Sequence, residues 1–291
     1  LSDPFRMKDM DRAVQKILSA ITERKKIVVF GDYDVDGITA TAVLVIFLRT
    51  AGADVDYYIP ERIKEGYGLS ITAIKKLKAK GISLLITVDC GISDMEEAKF
   101  AKENRIDLII TDHHEVTHDI PPAHAVLNPK QPGCGYAFKW LAGVGIAFKL
   151  VMALRKTMRE NGLWNGGRQE PNLRTYLDLV AIGTIADVAP LLGENRILVK
   201  NGLSVIGQPT RHGLNALKHI SGINGGDINV HTVAFRLAPR INASGRLTSA
   251  ENVIRLILCS DADEAKRIAS ATNFLFIPSC KSTIATDPTI S

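Results

Sequence analysis

Three runs of apolar, largely β-branched residues, Ile27 to Phe30, Leu84 to Val88 and Ile106 to Thr111, each end in a cluster of ionisable side chains. The clusters read Asp32-Tyr33-Asp34-Val35-Asp36-Gly37, Val88-Asp89-Cys90-Gly91 and Asp112-His113-His114, and a fourth, Ala186-Asp187-Val188, follows in a more helical stretch. Short apolar runs without polar alternation are expected of parallel strands covered on both faces. Open sheets of that kind place ligands at the carboxyl ends of their strands, so the clusters are expected along one edge. Carboxylates gathered there repel one another unless cations fill the space between them, and an imidazole adds a nitrogen donor. The pattern is read as a two-metal hydrolase site.

Competing readings apply to each cluster alone. A single Asp after a strand is commonly the N-cap of the next helix or a turn residue. Asp-x-Asp-x-Asp-Gly also opens calcium loops, but the closing glutamate of such a loop would fall near Leu44, which is apolar. Two histidines after a strand can be a cap and a packed imidazole. Directly after Asp112, they instead offer a metal ligand and a group that orients it.

Periodicity predicts a helix over Met10 to Glu23, then strand Ile27 to Gly31, helix Ile38 to Ala51 and strand Val55 to Ile59. Helix Ser70 to Lys80, strand Ser83 to Val88, helix Asp94 to Asn104 and strand Asp107 to Thr111 follow, with a short strand at Ala125 to Leu127. The expected fold class is therefore α/β, a mainly parallel sheet flanked by helices, followed by a helical region and the start of a second lobe. Helices are expected over Lys139 to Lys156, Leu173 to Ile185 and Arg196 to Ile206, with Glu160 to Gln169 as a surface loop. Gly207 to Gly226 reads as a boundary. The division is a catalytic domain over 1–206, a connector over 207–273 and an atypical tail over 274–291.

Asp112-His113-His114 is the signature of the DHH phosphoesterases, and Gly31 to Gly37 with Val88 to Gly91 resembles their nuclease branch. Further segments point the same way: Glu65-Gly66-Tyr67-Gly68-Leu69, Leu127-Asn128-Pro129-Lys130, Leu141 to Gly145, Gly183 to Val188 and Pro239-Arg240-Ile241-Asn242-Ala243-Ser244-Gly245-Arg246-Leu247. Together they resemble the RecJ-type single-strand-specific 5′-to-3′ DNA exonucleases, over about residues 10 to 272. The resemblance implies two divalent metal ions, with Asp34 and Asp36 on opposite ions, Asp89 as the bridge, and His113 and Asp187 as further ligands. His114 would orient its neighbours or touch the scissile phosphate. Asp32 is a further candidate ligand, because apolar Phe30 stands where relatives with a metal-binding histidine have that residue. The imidazole favours Mn²⁺ over Mg²⁺. Arg240, Asn242 and Arg246 are expected to meet the phosphate backbone, and Tyr67 a base. The Gly143-Val144-Gly145 segment is assigned to close helix packing or backbone approach to substrate.

The implied function is stepwise release of mononucleotides from the 5′ end of single-stranded DNA in repair and recombination. Small-substrate phosphoesterase activity, on short oligonucleotides or cyclic dinucleotides, and a weakly active DNA-binding remnant are the alternatives. A helicase and a single-strand-binding protein are the implied partners of a monomer. Composition agrees: 291 residues, 46% of them hydrophobic, can bury a large core, and a net charge of +5 suits a nucleic-acid partner. No apolar run reaches membrane-spanning length and no secretory pattern opens the chain, so a cytoplasmic location is expected. Cys90, Cys134, Cys259 and Cys280 lack zinc-type spacing and are read as reduced thiols. The start without methionine, and the serine- and threonine-rich tail after Asn273, are expected to mark a fragment without the DHH-associated and oligonucleotide-binding domains.

Overall fold

Five strands form one parallel sheet in the order β2-β1-β3-β4-β5, where β1 is Ile27–Gly31, β2 Val55–Tyr58, β3 Leu84–Val88, β4 Asp107–Thr111 and β5 Ala125–Leu127. The computed structural model describes residues 1–61, 65–164, 167–208, 211–223, 228–247 and 250–272, and the backbone alone for 244–247. β1 and β3 are buried at every position, which is why both lack polar alternation. Val28, Phe30, Leu85, Leu108 and Ile110 face one side, packing with α3 (Ile71–Ala79) and α4 (Met95–Glu103). Ile27, Val29, Leu84, Ile86 and Ile109 face the other, into the core shared with α1 (Met10–Thr22), α2 (Val35–Thr50) and α5 (Gly143–Glu160). The alternation follows from the two-residue period of a strand.

Two features of the sheet position the site. The chain leaves β1 towards β2 on one side and returns to β3 on the other, so the crevice between β1 and β3 is the topological switch point. Register is level: Gly31 pairs with Val88 and Val88 with Thr111, so the next residues, Asp32, Asp89 and Asp112, emerge side by side.

The helical half packs on the far side of α2. This helix is buried at nearly every position from Val35 to Leu48, as expected of a helix that is apolar all round. It meets α5, α6 (Leu177–Ala186) and α10 (Ala250–Leu258), while α7 (Gly193–Ile206) packs on α6. α8 (His212–Ile220) lies within the stretch read as a boundary and packs against α10 and α11 (Ala262–Ala271). The hydrophobic core runs without a break from Met7 to Ala269 and so crosses residue 207.

Several element ends differ from expectation. α2 starts at Val35, because the Asp34 carboxylate caps it by accepting from Gly37 N at 2.9 Å, and Asp36 in the first turn suits the positive helix end. α5 starts at Gly143 instead of Lys139, whose ammonium donates to the Pro129 and Cys134 carbonyls and holds that residue in the loop. α6 is preceded by a 3₁₀ turn, Leu173–Tyr176. In the loop after α5, Trp164 packs edge-on against Phe47 and is buried. The Pro239 to Leu247 segment lies in α9 (Ala238–Leu247), which continues a π-helical turn at Val233–Leu237. Arg240 and Asn242 therefore sit within a helix, not at its start; the Arg240 guanidinium donates to Arg236 O at 2.7 Å. The Arg246 side chain and the tail 274–291 lie outside the described residues. Among the described residues no helix is long and apolar enough to cross a membrane, and Cys90, Cys134 and Cys259 are free thiols.

Candidate metal centre

Asp32, Asp34 and Asp89 place carboxylate oxygens within 4.8 Å of one another, and Asp36, His113 and Asp187 form a second such group. The two groups meet where His113 Nε2 lies 3.1 Å from Asp89 Oδ1. Both atoms are buried and neither has a hydrogen-bond partner among the described residues. An approach of that length without a hydrogen bond fits two donors aimed at a common point, since ligands roughly 2.1 Å from a cation stand about 3 Å apart. The donor set, carboxylates and one imidazole, fits Mn²⁺ or Mg²⁺.

Each ligand candidate is fixed by its element. Asp89 stands just past β3 with φ 62, a left-handed backbone that Asp adopts more readily than most residues. Asp36 accepts from Gly143 N at 2.6 Å and Val144 N at 2.9 Å, two N–H groups in the first turn of α5 that have no partner within that helix. Asp187 is the C-cap of α6, with Oδ2 3.8 Å from His113 Nδ1. The structure thus brings Asp32, Asp34, Asp36, Asp89, His113 and Asp187 together, and His114 forms a third such group with Asp89 and His113, its ring centroid 4.4 Å from that of His113.

Asp112 has a different task. Its carboxylate accepts from Ile92 N (2.9 Å), His113 N (2.7 Å), His114 N (3.1 Å) and, at 2.7 Å, His114 Nδ1. Three of these bonds fall on Oδ1 and one on Oδ2, so the carboxylate organises the two histidines. Tyr67 packs edge-on against His114, donates from its hydroxyl to Asp89 O at 3.1 Å, and lies 3.2 Å from His114 Nδ1. Sequence reasoning missed the backbone N–H groups on Asp36 and assigned Gly143 to packing or substrate approach. A Cβ there would lie 2.5 Å from Asp89 Oδ1, so the glycine is needed for helix and carboxylate to meet. Motif composition carries a signal for a missing Cβ, but none for what it approaches.

Electrostatics follow from crowding. Burial, then the neighbouring Asp34 charge, pushes Asp36 up to about 7; burial and Asp36 push Asp187 up to about 6. Asp89 rises well above the usual carboxylate range, through burial and then Asp36. His113 is lowered, mainly by burial, and so favours the neutral form that a metal ligand requires. His114 is raised by its hydrogen bond to Asp112. For Asp112 burial raises the pKa, but the His114 and backbone hydrogen bonds prevail and leave it lowered.

A pH dependence follows. Carboxylates raised in the fold keep protons that the unfolded chain has released above its ordinary value of 3.8, so metal-free stability falls as pH climbs from there through about 7. His114 acts in the same sense, its contribution being lost as pH rises through its folded value, while His113 acts in the opposite sense. Three carboxylates and one imidazole outweigh the other. In chelator, Tm is expected to drop by several degrees between about pH 5.5 and about pH 7.5, while the Mn²⁺-induced rise in Tm grows over the same window. A chelated Tm that rises with pH in melting curves would contradict this account.

The chain matches the DHH family, N-terminal domain, over residues 26–184. It is 46% identical over 268 residues to the single-stranded-DNA-specific exonuclease RecJ of Bacillus subtilis, covering 92% of this chain and 32% of that protein. To the Thermus thermophilus RecJ it is 40% identical over 268 residues, covering 90% of this chain and 37% of that protein. Among solved structures, exonuclease RecJ bound to manganese superposes with a TM-score of 0.80 at 40% identity, covering 92% of this chain and 65% of that one. The Thermus thermophilus RecJ in complex with Mn²⁺ gives a TM-score of 0.76 at 38% identity, covering 92% of this chain and 37% of that one. The chain thus spans about a third of the length of these two curated relatives. With a family match that runs through the whole sheet and on into α6, the chain belongs to the DHH family.

Proposed function

We propose that this chain is the catalytic core of a metal-dependent exonuclease that degrades single-stranded DNA from its 5′ end and releases mononucleotides. The observation that carries the hydrolytic reading is the meeting of Asp89 Oδ1 and His113 Nε2, two buried donors without hydrogen-bond partners where the two ligand groups join. Likeness to relatives named as single-stranded-DNA-specific exonucleases supports the substrate class, and a role in DNA repair and recombination is part of the same proposal. Asp32 and Asp34 would hold one divalent cation, Asp36, His113 and Asp187 the other, and Asp89 would be shared; Mn²⁺ is preferred to Mg²⁺ for the imidazole. Bound cations lower the pKa of an attacking water and offset charge on the phosphoryl oxygens. Asp112 favours the protonated form of His114 and orients the ring through Nδ1, leaving its Nε2 for a phosphate oxygen of the substrate.

Arg240 and Asn242 on α9, with Arg246, are the proposed backbone contacts, since α9 packs against α2 and α6, the helices that carry the ligands. Tyr67, half exposed beside His114, completes the proposed substrate set. In this reading residues 1–206 are the catalytic domain and 207–273 the connector, acting as a cytoplasmic monomer with a helicase and a single-strand-binding protein as partners.

The test uses single strands labelled at either end, in several lengths, with Mn²⁺, Mg²⁺ or chelator. The 5′ label is expected to leave as a mononucleotide, blunt duplex to persist, and chelator to stop the reaction. Preferential loss of the 3′ label, or faster turnover of dinucleotides than of long strands, would overturn the assignment.

A further inference from the structure

Apolar side chains stand in solvent beside the ligand groups, and the loops bearing them are fixed. Trp140 is 56% exposed, Val188 85% and Leu192 67%. Val188 directly follows Asp187. Trp140 lies three residues before Gly143, whose N–H holds Asp36, and three residues of chain span at most about 10 Å. The amide of buried Asn195 donates to Trp140 O at 2.6 Å and to Pro190 O at 3.0 Å, so one nitrogen ties the two loops together. At Gly193, φ 47, the place a Cβ would take is 2.7 Å from the Phe138 ring, which clamps the second loop against the first. Val188 has φ 56, a backbone that β-branched residues rarely adopt and that the fold imposes here. Exposure of large apolar groups on loops held this firmly is built in, and no described core element covers them.

Chemistry at this rim selects the occupant. Lys130 Nζ lies 5.9 Å from the centre of the Trp140 ring and 2.8 Å from Glu115 Oε1, so an ammonium stands over an open indole. Its loop is tied to the histidines, since Asn128 donates from its amide to His114 O at 3.0 Å and accepts from Lys130 N at 2.8 Å. An aromatic face with a cation beside it matches one nucleotide of a single strand, base on ring and phosphate near ammonium, and suits every base because each has a π-face.

We propose that Trp140, on a loop tied through Asn195 to the one that bears Val188 and Leu192, is a stacking platform for a nucleobase of the single strand at the mouth of the metal site, with Lys130 serving that nucleotide's phosphate. This rests on reading the site as a single-strand nuclease. Trp140 is a positioning contact for substrate, outside the ligand set.

Fluorescence isolates it, because the other tryptophan, Trp164, is buried against Phe47. In chelator, a short 5′-phosphorylated strand is expected to quench emission, whereas the same strand with abasic sites at its 5′ end does not, and Trp140→Phe removes the response. With Mn²⁺, Trp140→Ala is expected to raise KM for the normal strand about tenfold, leaving kcat and the abasic strand unchanged. Leu192→Ala is a second variant, expected to shift KM in the same direction with Trp140 emission intact. Equal effects of Trp140→Ala on normal and abasic strands, or equal quenching by both, would overturn the platform. If the parent chain turns over no strand, the nuclease reading fails while the quenching comparison still judges the platform. Turnover with KM untouched by Trp140→Ala defeats the platform alone.

Discussion

Asp89→Asn is expected to lower phosphodiester hydrolysis by about a thousandfold or more, while the metal-free protein melts no lower than the parent. The loss follows because Asp89 is the carboxylate between the two ligand groups, and removing its charge withdraws several kcal/mol of transition-state stabilisation. Stability holds because the charge removed is one that burial and Asp36 already disfavour. Among residues with a side chain, Asn tolerates the left-handed backbone at φ 62 well, so this variant tests charge apart from strain, which Asp89→Ala would add. Calorimetric Mn²⁺ titration is expected to show both cations weakened in Asp89→Asn, and mainly one in Asp34→Ala or Asp36→Ala. Two tightly bound cations and normal turnover in Asp89→Asn would remove the bridge from the scheme.

Gly143→Ala is the second large effect. The new Cβ would lie 2.5, 2.7 and 2.8 Å from Oδ1, Cβ and Cγ of Asp89, and the parent N–H at this position holds Asp36. Neither partner can yield, since Asp89 is fixed by its backbone and α5 by the core. Overpacking of this kind costs about 1–3 kcal/mol, and Mn²⁺ affinity should fall with it because both ligand groups move. Gly145→Ala is the control: the nearest atoms its Cβ would meet belong to the Leu141 side chain, at 3.2 Å from Cδ2, and the end of a leucine can turn aside. Melting curves and Mn²⁺ titrations of the two variants should diverge; equal behaviour would show that the approach to Asp89 is not tight.

Much of this site was legible because its parts are local. Ile27–Gly31, Leu84–Val88 and Asp107–Thr111 announce themselves as fully covered strands, and a carboxylate directly after a buried strand has little room to be elsewhere. What could not be read depends on partners distant in sequence. Asp36 is held by N–H groups of Gly143 and Val144, more than a hundred residues on, and backbone donors leave no residue-type signature. His113 is the ligand that the resemblance implies, but the four hydrogen bonds by which the Asp112 carboxylate holds the histidines and Ile92 leave no mark in the sequence. α2 begins at Val35, three residues before the expected Ile38, because Asp34 caps it and Asp36 stabilises its first turn. Gly207 to Gly226 reads as a boundary, and what its residue types do not announce is that Leu214, Leu217, Val253 and Leu256 join the central core.

That continuity changes how the protein can be divided. α2 begins with two ligand candidates, and its flank is covered by α10, more than two hundred residues later in the chain. Cutting at residue 206 would strip that cover from one flank of α2, so the catalytic domain is expected to lean on the connector as far as Leu258 for its stability. Random mutagenesis screened for loss of cation binding should then recover hits at Val253, Ile254 and Leu256 as well as at the carboxylates, mapping a mechanical dependency that no list of ligands would show.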